Sequence, residues 1–312
     1  MSNNEGPYFE AEFELDTREP SEHRLLDEHC MANSDQIGKI CRRRKQQVRI
    51  EFPSENRGTT SAIYTVTVFH PDGSRVILGH KIPNLKCKLD ENKCKGAVKA
   101  QIMVEDIDDD IKAEKRGELI EHLSHHDQNR NLVVIAPHGG DIERWTDKQA
   151  EFVWSQFFPD RVSLWTCKGF SNQGKADAFE RWHITSTEIS KESFPKLNTI
   201  LRQTPTFEYS IAFHGWNKDK DVICVGGSDN QTPPDLKKRI RDAIQDALPK
   251  NSNIQVLDSG CPEGFNGNDS HNIVNKLGTN GIQIEQCPKA RDQFHDVIAQ
   301  AVVKVIDPLI NV

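Results

Sequence analysis

Short apolar segments alternate with amphipathic ones along the chain from residue 113 onward. The apolar segments predict strands at residues 132–137, 162–167, 183–187, 209–213, 222–225, 254–257 and 281–285. The amphipathic segments predict helices at residues 113–126, 146–157, 193–202, 235–248 and 291–306. Strands that are apolar throughout are typical of a sheet that helices cover on both faces. The alternation therefore predicts an α/β domain over residues 112–312.

The chain before this domain differs from it in amino-acid composition. Residues 1–45 are rich in Asp and Glu and poor in apolar side chains, which predicts an acidic arm that is disordered or loosely docked. Residues 46–108 hold four short segments rich in β-branched residues and a Pro-Asp-Gly turn signal at residues 70–74. They predict a small β-rich module. The acidic run at residues 105–110 is interpreted as the boundary between the module and the α/β domain. A calcium-binding loop is the alternative, but the run lacks the glycine and the final glutamate of such a loop.

Charge and hydropathy exclude several classes of protein. A net charge of -7 argues against a nucleic-acid binder, because phosphate contacts require a basic surface. No apolar run reaches the length of about 18 residues that a membrane helix needs, and the first residues do not resemble a signal peptide. We therefore expect a cytoplasmic protein, or one released by lysis. The eight cysteines form no C-x-x-C pair and are expected to be reduced, although Cys87 and Cys94 are near enough in sequence to close a loop in an oxidising medium.

Residues of catalytic type follow three of the predicted strands. His138 and Glu143 come after the strand at 132–137, His214 follows the strand at 209–213, and Glu285 ends the last strand. In open α/β sheets, ligands bind at the carboxyl ends of the strands. If these strands are parallel neighbours, the four side chains converge on one crevice.

Two imidazoles and one carboxylate are the protein ligands of a catalytic zinc, whose fourth position is open to water. A further carboxylate is needed to take the proton of that water and pass it to the leaving amine. Each residue also has an ordinary alternative: a histidine after a strand is often hydrogen-bonded within the core. Glu285 is equally suited to the N-terminus of the helix that begins near Pro288. The coincidence at three strand ends favours a metal site.

Five segments of the chain follow one another in order: I-A-P-H-G-G-D-I-E (135–143), W-H-I-T-S-T (182–187), S-I-A-F-H-G (210–215), V-G-G (225–227) and H-N-I-V-N-K-L-G-T-N-G-I-Q-I-E (271–285). Together they resemble the phage-type poly-γ-glutamate hydrolase family. The resemblance implies a fold similar to the zinc carboxypeptidases, with a mixed, largely parallel twisted sheet between helices. It further implies one Zn²⁺ per chain, bound by His138, Glu143 and His214, with Glu285 as the general base.

The resemblance also implies the substrate, a polymer or peptide with glutamyl units. Where the family usually reads Pro-Gly-Thr-Ser after the ligand glutamate, this chain has Arg144-Trp145-Thr146-Asp147, so the entrance to the site differs. Candidate substrate-binding residues are Arg144, His183, Asn272, Asn275 and Lys276. Each also has a structural alternative, such as a solvated arginine, a buried histidine or a capped surface helix.

Three functions are consistent with these residues. The first is zinc-dependent hydrolysis of γ-glutamyl amide bonds. The second is cleavage of a peptidoglycan stem peptide, which also contains γ-linked glutamate. The third is a non-catalytic virion or binding module that retains the fold. A binding module has no need of both a complete ligand set and a general base, and this favours the enzymes.

Overall fold

The computed structural model describes residues 7–19, 24–41, 43–54, 58–70, 75–81, 94–126, 131–157, 161–171, 175–202, 207–217 and 220–310. The elements in chain order are β1 (Tyr8–Leu15), β2 (His29–Asn33), α1 (Ser34–Ile37), β3 (Gln47–Ser54), β4 (Gly58–His70), β5 (Arg75–Leu78), β6 (Cys94–Lys99), α2 (Asp110–Arg116), β7 (Leu119–Ser124), β8 (Leu132–Gly140), α3 (Thr146–Ser155), β9 (Val162–Gly169), α4 (Lys175–Trp182), α5 (Pro195–Leu201), β10 (Phe207–Gly215), β11 (Val222–Gly226), α6 (Pro234–Ala247), β12 (Gln255–Leu257), α7 (Ile273–Leu277), β13 (Gly278–Gln286) and α8 (Pro288–Ile310). The turn predicted at residues 71–74 and the side chains of Cys87 and Cys94 lie outside the description.

The chain forms two compact units, and each takes two stretches of sequence. The first unit comprises Met1–Leu119 and Ser171–Phe194, and the second comprises Ile120–Phe170 and Pro195–Val312. The sequence predicted one boundary near residue 110. The structure adds a second stretch to the first unit, because residues 171–194, which follow β9, belong to the first unit and not to the second.

A closed barrel of six strands forms the first unit, in the order β1-β5-β2-β4-β3-β6. The β-rich module was expected to begin at residue 46, but β1 and β2 already belong to the barrel. The prediction of a loose acidic arm is therefore wrong for these strands. In β1 the buried Ala11 and Phe13 alternate with Glu10, Glu12 and Glu14, so the acidic residues occupy one face of a strand.

The segment 171–194 is hydrogen-bonded to this barrel. The guanidinium of Arg181, in α4, donates from Nε to the carbonyl of Ser61 at 2.7 Å. The buried Gln47 donates from its backbone N–H to Ser193 Oγ at 2.8 Å and from its amide to the carbonyl of Glu188 at 2.8 Å. Residues 183–185 are irregular and a turn follows at 186–188, so the strand predicted at 183–187 is wrong. These contacts explain why the segment belongs to the first unit.

The helix predicted over residues 113–126 is also wrong, because it ends early and a strand follows. α2 stops at Arg116, and Gly117 takes a left-handed conformation with φ 68° that caps the helix. The following Leu119, Ile120 and Glu121 are buried in succession, as expected for a strand covered on both faces rather than for an amphipathic helix. The apolar side chains of Leu119 and Ile120 fitted either pattern in the sequence.

A seven-stranded sheet forms the second unit, in the order β12-β11-β13-β10-β8-β9-β7. The pairs β13–β10, β10–β8, β8–β9 and β11–β12 are parallel, whereas β11 and β13 are antiparallel. The sheet is therefore mixed and largely parallel, as the family resemblance implied. Among the described residues, no helix combines the length and apolar character needed to cross a bilayer.

Helices cover both faces of this sheet. Alternate residues of the central strands, such as Val134, Phe213 and Ile284, join one core with residues of α3, α6 and α8. The opposite face meets α7, where Ser210 Oγ donates to the carbonyl of Val274 at 2.6 Å. Within this α/β unit, the central strands β8, β10 and β13 carry His138, His214 and Glu285, respectively.

Candidate metal centre

Three buried side chains converge beyond the carboxyl ends of β8 and β10. His138 lies near the end of β8, Glu143 follows in the loop before α3, and His214 lies near the end of β10. The exposed fraction is 3 % for His138, 5 % for Glu143 and 2 % for His214. Because β8 and β10 are parallel neighbours, their carboxyl ends meet at the same edge of the sheet. The structure thus brings these three residues together, as expected from the sequence.

The carboxylate of Glu143 lies between the two imidazoles. Its Oε1 is 3.0 Å from His138 Nδ1, and its Oε2 is 3.4 Å from His214 Nδ1. The backbone N–H of Gly215 donates to Oε2 at 2.8 Å, and the two imidazole centroids are 5.0 Å apart. The loop that carries Glu143 is tied back by its own N–H, which donates to the carbonyl of His138 at 2.8 Å. Local backbone contacts therefore fix the carboxylate between the rings.

The charge of Glu143 follows from these neighbours. Burial by itself raises the pKa of this carboxyl, but the charge of His138 and hydrogen bonds from both imidazoles outweigh burial and hold the pKa well below its usual range. Glu143 is therefore an ionised carboxylate in a buried site, with nitrogen donors on either side.

This donor set fits a zinc ion. Nitrogen and oxygen ligands of a tetrahedral Zn²⁺, at 2.0–2.2 Å from the metal, lie roughly 3.3 Å from each other. The separations at Glu143 are close to this value, 3.0 Å from Oε1 to His138 Nδ1 and 3.4 Å from Oε2 to His214 Nδ1, and each involves a different oxygen of the carboxylate. Two imidazoles and one carboxylate also match the ligand types of catalytic zinc sites.

Glu285 lies beside His214 on the neighbouring strand. The two residues are in register across the parallel pair β10 and β13. Glu285 Oε1 accepts a hydrogen bond from Gln283 Nε2 at 2.9 Å, whereas Oε2 is buried and has no hydrogen-bond partner among the described residues. Burial raises the pKa of Glu285 well above its usual range, and the charge of Glu143 raises it further, while Arg291 acts in the opposite direction. A second carboxyl group thus borders the site, with one oxygen that has no hydrogen-bond partner among the described residues.

Arg291 is a buried cation that the sequence analysis missed. It lies in the first turns of α8, with Nη1 donating to the carbonyl of Arg144 at 3.1 Å and Nη2 to that of Trp216 at 3.2 Å. It thereby joins the loop after β8 to the residue after β10. A Cβ atom on Gly215 would lie 2.6 Å from Arg291 Cδ, so the glycine makes room for this side chain. The glycine after His214 was the available signal.

The predicted substrate-binding residues have different surroundings. Asn275 holds a loop: Nδ2 donates to the carbonyls of Gly267 at 2.7 Å and Asp269 at 2.8 Å, and Oδ1 accepts from Ser228 N at 3.4 Å. These contacts give Asn275 a structural role, and its role toward a substrate stays a prediction. Asn272 caps α7, and its amide also contacts Gln283.

The other three candidates are placed as follows. Arg144 is half-buried and directly follows Glu143, with its guanidinium carbon 5.4 Å from the ring centroid of Trp145. Lys276 is half-buried in the last turn of α7. His183 belongs to the first unit, where its ring stacks on Phe179 and its Nδ1 contacts the Glu28 carboxylate. Their roles toward a substrate stay predictions.

Comparison with known proteins agrees with the family inferred from the segments. The model of the family described as poly-gamma-glutamate hydrolase matches residues 109–304, which is more than half of the chain. The chain belongs to this family. The resemblance predicted from the sequence is therefore confirmed.

Similar proteins include two from Bacillus subtilis (strain 168). The UPF0714 protein YndL is 30 % identical over 169 residues, covering 54 % of this chain and 58 % of YndL. The SPbeta prophage-derived UPF0714 protein YoqZ is 25 % identical over 178 residues, covering 56 % of each. The matches span little more than half the length of these relatives. The solved structure of a bacteriophage poly-gamma-glutamate hydrolase is 20 % identical, with a TM-score of 0.47, over 64 % of this chain and 95 % of that one.

Proposed function

We propose that this poly-gamma-glutamate hydrolase family member is a zinc-dependent hydrolase of amide bonds, and that its substrates carry γ-glutamyl linkages. The observation that carries the proposal is the position of Glu143 between His138 and His214, with Glu285 beside His214. Membership of the family supports the substrate class. Both parts of the proposal are open to direct measurement.

Each residue of this site has a separate role in the proposed reaction. His138, Glu143 and His214 would hold one Zn²⁺, which when bound polarises the carbonyl and activates water. A Zn²⁺ ion beside Glu285 would favour the ionised form of this carboxyl, which a general base requires. Its Oε2, which has no hydrogen-bond partner among the described residues, would then accept the proton of the attacking water and return it to the leaving amine. Gly215 N–H holds Glu143 Oε2 in place throughout. The proton thus passes from water to amine through one carboxylate.

A γ-glutamyl substrate carries a free carboxylate beside each scissile amide, so its recognition requires a cation near the site. Arg144 is suited to this role, because it directly follows Glu143 and is only half-buried. A guanidinium binds a carboxylate through two parallel hydrogen bonds. The net charge of -7 does not exclude an anionic polymer, since local cations determine the field at a cleft.

The test measures zinc content and hydrolysis for paired variants. His214→Ala is expected to remove most of the zinc, whereas Glu285→Gln should keep zinc and lower kcat by about 10²–10⁴-fold, as for loss of a general base. Glu208→Gln, at an exposed position of β10, is the matched control. Zinc loss from Glu285→Gln, or near-normal turnover, would contradict the assigned roles.

The substrate is tested by digestion of poly-γ-glutamate and of peptidoglycan, with release of new amino groups as the signal. Release from poly-γ-glutamate alone is the expected result. Release from peptidoglycan alone would assign the stem-peptide activity instead. Full zinc occupancy without release from either polymer would favour a binding module and overturn the enzymatic proposal.

A further inference from the structure

A line of hydrogen bonds leads from the backbone of α7 to Glu285. The N–H of Val274 donates to Asn272 Oδ1 at 3.2 Å, and Asn272 Nδ2 donates to Gln283 Oε1 at 2.6 Å. Gln283 Nε2 then donates to Glu285 Oε1 at 2.9 Å. Asn272, Gln283 and Glu285 are exposed by only 5 %, 2 % and 6 %. Bulk water therefore has little access to this line.

The direction of every bond in the line follows from its first member. A backbone N–H can only donate, so Asn272 presents its oxygen to Val274 and its NH₂ to Gln283. Gln283 must then accept with Oε1, which leaves its NH₂ facing Glu285. Because an NH₂ group cannot accept a hydrogen bond in this geometry, Glu285 Oε1 is held as an acceptor. The backbone of α7 thus sets the orientation of both amides.

Packing keeps Gln283 in place. Gln283 and Glu285 are two residues apart on β13, so they lie on the same face of the sheet. Gly267, with φ 64°, closes over Gln283, and a Cβ atom on this glycine would lie 2.9 Å from Gln283 Cβ. The amide therefore has little room to turn away from Glu285.

We propose that Gln283, supported by Asn272, is a positioning residue for the general base. It holds Oε1 of Glu285 and leaves Oε2, which has no other partner among the described residues, to exchange protons with the attacking water. This inference rests on the proposed role of Glu285. Neither Gln283 nor Asn272 touches the reacting atoms.

Two variants test the proposal, each in the full-length, zinc-loaded protein. Gln283→Met keeps the length of the side chain and removes the donor to Glu285. Asn272→Asp keeps the acceptor for the Val274 N–H and removes the donor to Gln283. Without that donor, nothing in the line of hydrogen bonds holds the Gln283 NH₂ toward Glu285. Asn280→Asp is the matched control, because this half-buried amide on the same strand donates to the carbonyl of Glu208 instead.

The readouts are kcat and KM on poly-γ-glutamate of defined length, zinc affinity by chelator competition, and Tm. For Gln283→Met and Asn272→Asp we expect kcat to fall about 10–100-fold, the range found when supporting partners of a metal site are removed. KM and zinc affinity should stay within about two-fold of the wild type. A purely structural role would lower Tm and zinc occupancy while leaving kcat per bound zinc unchanged.

The outcomes separate this inference from the proposed function. If Glu285→Gln is inactive but Gln283→Met keeps wild-type kcat, the positioning role is overturned and the general base stands. If Glu285→Gln itself keeps wild-type kcat, the proposed function fails. Should Gln283→Met not fold, Asn272→Asp decides, since its helix cap is retained. Wild-type kcat in that variant overturns the positioning role.

Discussion

Gly215→Ala provides a quantitative test of the contact between β10 and α8. A Cβ atom at this position would lie 2.6 Å from both Cδ and Cζ of Arg291, well inside the usual contact distance. Arg291 cannot retreat freely, because its guanidinium donates to the carbonyls of Arg144 and Trp216. The backbone of Gly215 does not lie in the left-handed region, so alanine itself causes no strain in φ there. The whole loss of stability should therefore come from the clash with the Arg291 side chain.

The expected loss follows from two contributions. Overpacking of a filled interior costs about 1–3 kcal/mol, and breaking one hydrogen bond of a charged donor costs about 1.5–3 kcal/mol. Gly215→Ala should therefore lower the free energy of unfolding by about 2.5–6 kcal/mol. Urea unfolding of the zinc-free protein measures this as a lower midpoint with an unchanged slope.

A double-mutant cycle isolates the contact. In an Arg291→Ala background the obstructing side chain is gone, so Gly215→Ala should cost less than about 1 kcal/mol. If Gly215→Ala costs as much in that background as in the wild type, the clash does not involve Arg291. The packing argument for this glycine would then be refuted.

Three further predictions concern other parts of the chain. A fragment comprising residues 109–312 should be less stable than the full chain or insoluble, because Arg181 and Ser193 lose the barrel partners Ser61 and Gln47; a fragment with the full-length urea midpoint would contradict this. Burial raises the pKa of Glu28, but His183, Lys81 and the Thr185 N–H outweigh burial and lower the pKa well below its usual value. The ionised Glu28 therefore stabilises the folded protein above about pH 4.3, and this stabilisation is lost as the pH falls. Glu28→Gln should therefore flatten the dependence of the urea midpoint on pH below about 4.3; an unchanged dependence would contradict the assignment. Asn275→Leu should lower Tm without changing KM, because its amide holds the loop at Gly267 and Asp269, and a raised KM would support a substrate role.

The sequence predicted the central strands and the cluster around Glu143 because both depend on short-range patterns. A run of apolar residues such as 132–137 identifies a buried strand, and the polar residue that follows it lies at the edge of the sheet. His138, His214 and Glu285 could therefore be placed near one another before their distances were known. Parallel order within the sheet was the one assumption needed, and the strand pairs bear it out.

The errors of the sequence analysis arise where contacts distant in sequence decide the structure. Gln47 and Ser193 are hydrogen-bonded across 146 positions, and no local pattern in residues 171–194 indicates that they belong with the barrel. The boundary at Gly117 was visible only as one glycine within an apparent helix. Arg291 resembles any other charged residue of a helix until Gly215 is found against it.

α7 shows how a short element can support the site from outside it. A helix of five residues is too short to be stable in isolation, so its order must come from tertiary contacts. Ser210 holds the carbonyl of Val274, while Asn275 fixes the loop that contains Gly267. That loop in turn closes over Gln283. The Val274 N–H, which orients Asn272, is thus immobilised by the same sheet that carries His214 and Glu285. Rigidity at Glu285 therefore originates in contacts on the α7 face of the sheet.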